Sequence, residues 1–270
     1  MNDSQVFRLR HGRIPLLVSM PHTGVEIPAA LRAAYVARAL DLEDTDWHLE
    51  RLYDFLDDMD VSVLTPTISR YVIDLNRPPD DTPMYPGAAN TELCPTRFFS
   101  GEPLYAPDAQ PDEGERGRRL IVYWQPYHDA LEAELQRIRA AHGYALLWDA
   151  HSIRSEIPWL FEGHLPDLCI GTADGASAGA VITESISAAT RESPQYTAVV
   201  NGRFKGGYIT RRYGNPAQHI HAVQLEMCQR TYMQEAPPYA YDAQLAANIQ
   251  PVLRHMMKAA VRASEGLYAK

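Results

Sequence analysis

The chain has 270 residues, 46% of them hydrophobic and 22% charged, a balance that supports a folded core and excludes wholesale disorder. Against 34 acidic side chains stand 25 basic ones, for a formal charge of −9 and a pI near 5.5. That surplus argues against sequence-independent nucleic-acid binding, which needs a basic footprint, but leaves room for a local basic pocket.

Residues 1–15 are polar and charged and lack the apolar core of a secretion signal, and the apolar run 14–20 is too short to span a bilayer. The cysteines Cys94, Cys169 and Cys228 are scattered and form no CxxC pair. These features predict a cytoplasmic protein without disulfides or a cysteine zinc site.

Leu16-Leu17-Val18-Ser19-Met20 reads as a buried strand closed by Pro21. Residues 29–40 and 47–59 read as helices, with Thr45 as a cap for the second. Residues 61–64 and 71–75 read as strands. The stretch 78–113 is irregular, rich in Pro, Gly and Asp, and of a length that is usually functional or disordered. Its Phe98, Phe99 and Tyr105 predict packing onto the body. Residues 116–142 have a helical pattern that Pro126 must kink or split, with Gly143 as the stop. Residues 145–149 and 168–171 follow as strands, 176–191 as a helix, and 198–201 and 221–226 as strands. The helix over 244–263 closes the chain. Alternating strands and helices predict an α/β layer fold with a largely parallel sheet. With no internal repeat or linker, a single domain over 1–270 is the simplest organisation.

Polar residues gather at strand ends: Pro21-His22-Thr23-Gly24, Asp74-Leu75-Asn76-Arg77, Asp149-Ala150-His151-Ser152 and Gln224-Leu225-Glu226. In open α/β sheets ligands bind outside the carboxyl ends of strands, so these clusters are expected to converge. Two histidines and a carboxylate are a common catalytic zinc set with one position left for water. His22 and His151 supply the imidazoles, and Glu226 is the free base that moves the water proton. Either histidine alone more often reads as a hydrogen-bonded structural residue; the two together favour a site. The carboxylate ligand is Asp46 or Glu26, with Asp46 preferred. The competing role for Asp46, like that of Asp44, is charge at a helix N-terminus.

The segment 201–214 is locally basic and glycine-bearing. Arg203, Arg211 and Arg212 are candidates to grip a carboxylate, with a solvated hairpin as the plainer alternative. Gly175-Ala176-Ser177-Ala178-Gly179 fits the G-x-S-x-G elbow of serine hydrolases, with Ser177 as nucleophile. No strand runs directly into it, and only Asp242 and His255 follow in the required order, so the match is read as chance. Nucleotide-binding glycine motifs are absent.

Taken together, Ser19-Met20-Pro21-His22-Thr23-Gly24, Asp44-Thr45-Asp46-Trp47-His48, the stretch 69–77 ending in Asp74-Leu75-Asn76-Arg77, Asp149-Ala150-His151-Ser152-Ile153-Arg154-Ser155, the run 201–207 and the Glu226 region resemble the N-formylglutamate amidohydrolase family. The likeness spans about residues 7–232. It implies a phosphorylase/hydrolase-like three-layer α/β fold with a mixed, largely parallel central sheet. It also implies one zinc ion on His22 and His151, Asp74 supporting His22, Asn76 and Arg77 holding a substrate carboxylate, and Glu226 as base. The related zinc peptidases use His-x-x-Glu, whereas Val25 stands three residues after His22, so Asp46 and Glu26 both stay open. The implied reaction is cleavage of N-formyl-L-glutamate to formate and L-glutamate, a step of histidine degradation. The predicted partner is a small dicarboxylate, with no nucleic acid and no membrane. Its second carboxylate would meet Arg203, Arg211, Arg212 or Arg154, and the 78–113 loop would close over the pocket. The alternatives are zinc hydrolysis of another N-acyl amino acid or a peptide, and a serine hydrolase using Ser177.

Overall fold

The structure, a computed structural model, describes residues 5–84 and 90–269. The strands are β1 (Phe7–Arg10), β2 (Leu16–Ser19), β3 (Ser62–Pro66), β4 (Ala145–Ile153), β5 (Leu168–Gly171), β6 (Ala198–Val200) and β7 (Ile220–Cys228). The helices are α1 (Ala29–Arg32), α2 (Leu49–Leu52), α3 (Glu113–Arg119), α4 (Gln125–His142), α5 (Ala180–Arg191), α6 (Tyr208–Tyr213) and α7 (Ala243–Tyr268). The seven strands form one mixed sheet in the order β1-β3-β2-β4-β7-β5-β6. The four central strands are parallel; β1 and β5 run antiparallel to their inner neighbours.

The central strands are buried on both faces, which is why they read as continuous apolar runs rather than alternating ones. Leu16 and Val18 of β2 and Leu146 and Trp148 of β4 face one core with α5 and α7. Leu17 and Leu147 face the opposite core, against Tyr127, Leu131 and Ile138 of α4. The period-2 alternation of the strand thus divides one run of apolar residues between two helical layers, giving a three-layer α/β fold.

Several local expectations are corrected. The helix expected over 29–40 is only α1 and a 3-10 turn at Ala37–Asp41. Between them Tyr35 and Val36 leave the helical path to pair with Tyr105 and Leu104 of the long loop. The helix expected over 47–59 shrinks to α2 and a 3-10 turn at Asp54–Leu56. His48, at φ 62°, occupies the N-cap position expected of Thr45, whose buried hydroxyl has no hydrogen-bond partner. Residues 71–75 form a turn rather than a strand. Pro126 does not split its helix: a π turn over Leu120–Trp124 carries α3 into α4, and Gly143, at φ 83°, ends it. β1 and the extension of β4 to Ile153 complete the sheet.

Candidate active site

The carboxyl ends of β2, β4 and β7 are neighbours in the sheet, and the polar clusters meet there. His22 lies just beyond β2, and His151 sits in the last turn of pleat of β4. Glu226, on β7, is the register partner of His151. Asp46 arrives on the segment after the 3-10 turn, which is pinned where its amide donates to the His22 carbonyl at 3.1 Å.

His22, Asp46 and His151 are all buried, and one donor atom from each lies within 4.8 Å of the others. His22 Nε2 is 2.7 Å from Asp74 Oδ1. A carboxylate can only accept, so Nε2 carries the proton and Nδ1 turns its lone pair toward Asp46 Oδ2, 3.8 Å away. His151 Nδ1 stands 3.2 Å from the same oxygen. The other His151 nitrogen is 3.2 Å from Asp149 Oδ2 and 3.0 Å from the Asn76 amide nitrogen. Glu26 is exposed and pairs through its backbone with Ile68, so the clustered carboxylate is Asp46.

Arg70 braces this group, although only its place in the motif string, four residues before Asp74, pointed to it. Its Nη2 is 2.8 Å from Asp74 Oδ2 and its Nη1 3.6 Å from Asp46 Oδ1. Burial opposes ionisation of Asp74, but His22, Arg77 and Arg70 outweigh it and hold the carboxyl well below its usual range. Burial and Arg70 push His22 down, toward the neutral imidazole that a metal requires. Burial would also lower His151, but Asp149 and Asp46 overcome it and raise that imidazole. Glu226 is pushed up to about 8, chiefly by burial, against the pull of His151.

The residues present fit a divalent cation. Two imidazoles and a carboxylate converge, and Asp46 Oδ1 is buried without a hydrogen-bond partner. Asp74 and Asp46 share the buried guanidinium of Arg70, and His151 lies between Asp46 and Asp149.

The cleft above this group is walled by Asn76, Arg77, Thr91, Arg203, Phe204 and Glu226, with Phe99 and Leu160 adding apolar surface. Arg77 is set by the long loop: its Nε donates to the Thr91 carbonyl at 2.9 Å and its Nη2 to the Thr91 hydroxyl at 2.6 Å. The loop expected to close over the pocket therefore contributes part of its wall, while residues 85–89 lie outside the described residues. Gly207 is required by a close approach, since any Cβ there would collide with the Asn76 amide. Its amide donates to Gln224 Oε1 at 2.7 Å, and Gln224 Nε2 donates to Glu226 Oε2 at 3.2 Å.

Other candidates stand apart. Arg154 pairs with Asp44 at 3.1 Å and does not line the cleft. Arg211 and Arg212 are exposed on α6, away from it, because the basic segment folds as a loop and a short helix instead of a hairpin. Of the basic candidates in 201–214, Arg203 reaches the wall. The hydroxyl of Ser177 donates to the Ala222 carbonyl at 2.8 Å. Asp242 caps α7 and His255 faces Glu192, so no hydrolase triad assembles around Ser177. The three thiols are free and buried, and burial raises Cys94 to about 11 and Cys169 to about 12, which makes them poor nucleophiles. Among the described residues no helix is long and apolar enough to cross a membrane.

Known proteins resemble this chain in both sequence and fold. The sequence model of N-formylglutamate amidohydrolase matches residues 14–233. An N-formylglutamate deformylase of Pseudomonas putida is 51% identical over 255 residues, covering 94% of this chain and 95% of that protein. One from Pseudomonas aeruginosa is 48% identical over 265 residues, covering 98% and 99%. The crystal structure of an N-formylglutamate amidohydrolase from Ralstonia eutropha JMP134 shares the fold, with a TM-score of 0.79, 24% identity and 97% of each chain covered.

Proposed function

The chain belongs to the N-formylglutamate amidohydrolase family, and from that premise we propose that it hydrolyses N-formyl-L-glutamate to formate and L-glutamate with one zinc ion held by His22, Asp46 and His151. The observation that carries the reading is the buried His22–Asp46–His151 group with Glu226 beside it, in the cleft that Arg77 and Arg203 wall. A divalent ion so held supplies Lewis acidity, lowering the pKa of water and polarising a carbonyl. Asp74 fixes the tautomer and direction of His22, as a ligand imidazole requires.

Glu226 acts as the general base. Burial lifts its carboxylate toward neutrality, which suits a group that must take a proton and give it back. It accepts a proton as water oxygen adds to the formyl carbon. It then delivers that proton to the amide nitrogen as the C–N bond breaks, so formate leaves and the amine of L-glutamate is freed. Asn76 and Arg77 grip one substrate carboxylate and Arg203 the other. The two cations in one cleft favour a dianionic substrate over a neutral peptide. In the cell this chemistry belongs to histidine degradation, as the family likeness implies.

The test is formate release from N-formyl-L-glutamate by the purified protein, before and after chelation and again after zinc is restored. Release that stops on chelation and returns with zinc is the expected result. No release from fully zinc-loaded protein would remove N-formyl-L-glutamate as substrate. Undiminished release from protein shown by metal analysis to be empty would remove the zinc.

A further inference from the structure

The turn that carries Asn76 and Arg77 is held from behind by α4. In the π turn before that helix, the Gln125 N–H bonds the Leu120 carbonyl, five residues back. Pro126 has no N–H to return to the preceding turn, and the wider turn accommodates it without breaking the helix. Trp124 and His128, one turn apart, both face the turn over residues 74–77. Trp124 Nε1 donates to the Arg77 carbonyl at 3.0 Å. His128 Nε2 is 2.9 Å from the Leu75 carbonyl, and a carbonyl can only accept, so the proton is on Nε2. Nδ1 then accepts from the Tyr213 hydroxyl at 2.9 Å. The two rings stack with centroids 3.7 Å apart.

The two carbonyls belong to Leu75 and Arg77, which flank Asn76. The Asn76 side-chain oxygen accepts from the Ile209 amide at 2.9 Å, at the start of α6, and Tyr213 ends that helix. One hydrogen-bonded path therefore runs from the basic segment through His128 into the turn. Neither Trp124 nor His128 lines the cleft. His128 is almost wholly buried, and burial lowers its pKa to about 3, so it stays neutral and keeps this single tautomer.

We propose that His128, with Trp124 beside it, is a positioning residue that sets the pose of Asn76 and Arg77 and so governs how tightly the substrate carboxylate is held. This rests on the assignment of Asn76 and Arg77 to that carboxylate.

The experiment compares KM and kcat for N-formyl-L-glutamate, bound metal and thermal midpoint in wild type, His128→Leu, His128→Gln and Trp124→Phe. His128→Leu removes the donor and the acceptor, and its KM should rise about tenfold while kcat changes less than about threefold and metal content holds. His128→Gln keeps a donor near the Leu75 carbonyl and should recover most of that loss. Trp124→Phe keeps a ring without its N–H and should raise KM in the same direction, and it decides the matter if His128→Leu does not fold. A folded His128→Leu or Trp124→Phe protein with wild-type KM overturns the proposal, even if its thermal midpoint falls. If wild type itself releases no formate, the functional reading fails instead. The positioning claim is then judged by the crystal structure of His128→Leu: a displaced turn over residues 74–77 supports it, and an unmoved one overturns it.

Discussion

His151 and Glu226 are register partners on the adjacent parallel strands β4 and β7. In a parallel pair such partners share a face at one strand spacing, about 4.8 Å. The imidazole proposed as a ligand and the carboxylate proposed as the base thus stand on neighbouring strands paired by backbone hydrogen bonds rather than on a loop. The placement has an electrostatic consequence, because Glu226 is buried at the base of the cleft and its carboxylate is lifted by that burial.

Replacing Glu226 by Gln keeps the shape and the contact to Gln224 but removes the proton acceptor. Turnover should fall by about 10²–10⁴-fold with the metal retained. The raised pKa also sets a sign. As the proposed base, Glu226 would be inactive when protonated, so kcat/KM in wild type should climb with pH along an acid limb lying above 4.5, the ordinary glutamate value. Steady-state kinetics across pH check both points. An acid limb that survives unchanged in a still-active Glu226→Gln protein would assign it to another group.

Asp74→Asn tests the support of His22. The amide can accept from Nε2–H but carries no charge, and the Arg70 guanidinium loses its closest carboxylate. Metal affinity should drop by about 10–100-fold, as for other carboxylates behind ligand imidazoles. His151→Ala, which deletes a proposed ligand, should lose the ion outright. Competition against a metal-binding dye separates the two outcomes, and full zinc occupancy in His151→Ala would exclude it from the ligand set.

The site was partly legible in the sequence because its members follow apolar runs. His22 comes after β2, and the Asp149-Ala150-His151 and Gln224-Leu225-Glu226 triplets end such runs, so the sheet itself predicts their convergence. What escaped the sequence depends on tertiary pairing. Residues 71–75 have the composition of a strand, but Tyr71 and Val72 are consumed by the core beneath the long loop, and the backbone turns to bring Asp74 back to His22. Arg70 was hidden for the same reason: in an extended strand, residues four apart would not meet at 2.8 Å. The choice among basic residues of 201–214 also turned on the fold, since α6 points Arg211 and Arg212 outward while the preceding loop puts Arg203 on the cleft wall.

That division of the arginines is itself testable. Arg77→Ala and Arg203→Ala should each raise KM for N-formyl-L-glutamate by about tenfold or more, since a charge-assisted carboxylate contact contributes about 1.5–3 kcal/mol. Arg211→Ala and Arg212→Ala, on exposed positions outside the cleft, should leave KM within about twofold. Equal effects in all four would mean that the basic segment acts through its general field rather than through contacts.

Glu134 offers a prediction about stability alone. It projects from α4 toward the start of β3 and the β1–β2 connection, and its side chain accepts from Ser62 of β3 at 2.5 Å, from Arg137 of α4 at 2.6 Å and from His11 at 2.8 Å. Burial opposes its ionisation, but Arg137, Ser62 and His11 outweigh it and lower its pKa from 4.5 to about 2. A carboxyl with a depressed folded-state pKa contributes stability that is full above the unfolded value and is lost as pH falls through the folded value. The window is therefore from about 4.5 down to about 2. At ~1.4 kcal/mol per unit the ceiling is about 3 kcal/mol. Arg137 is 42% exposed, so solvent screening reduces this to about 1–2 kcal/mol. Glu134→Gln should lower the urea midpoint at pH 7, and the gap to wild type should close as the pH drops toward 2. A gap that stays constant across that range would mean that Glu134 acts through packing and neutral hydrogen bonds, not through its charge.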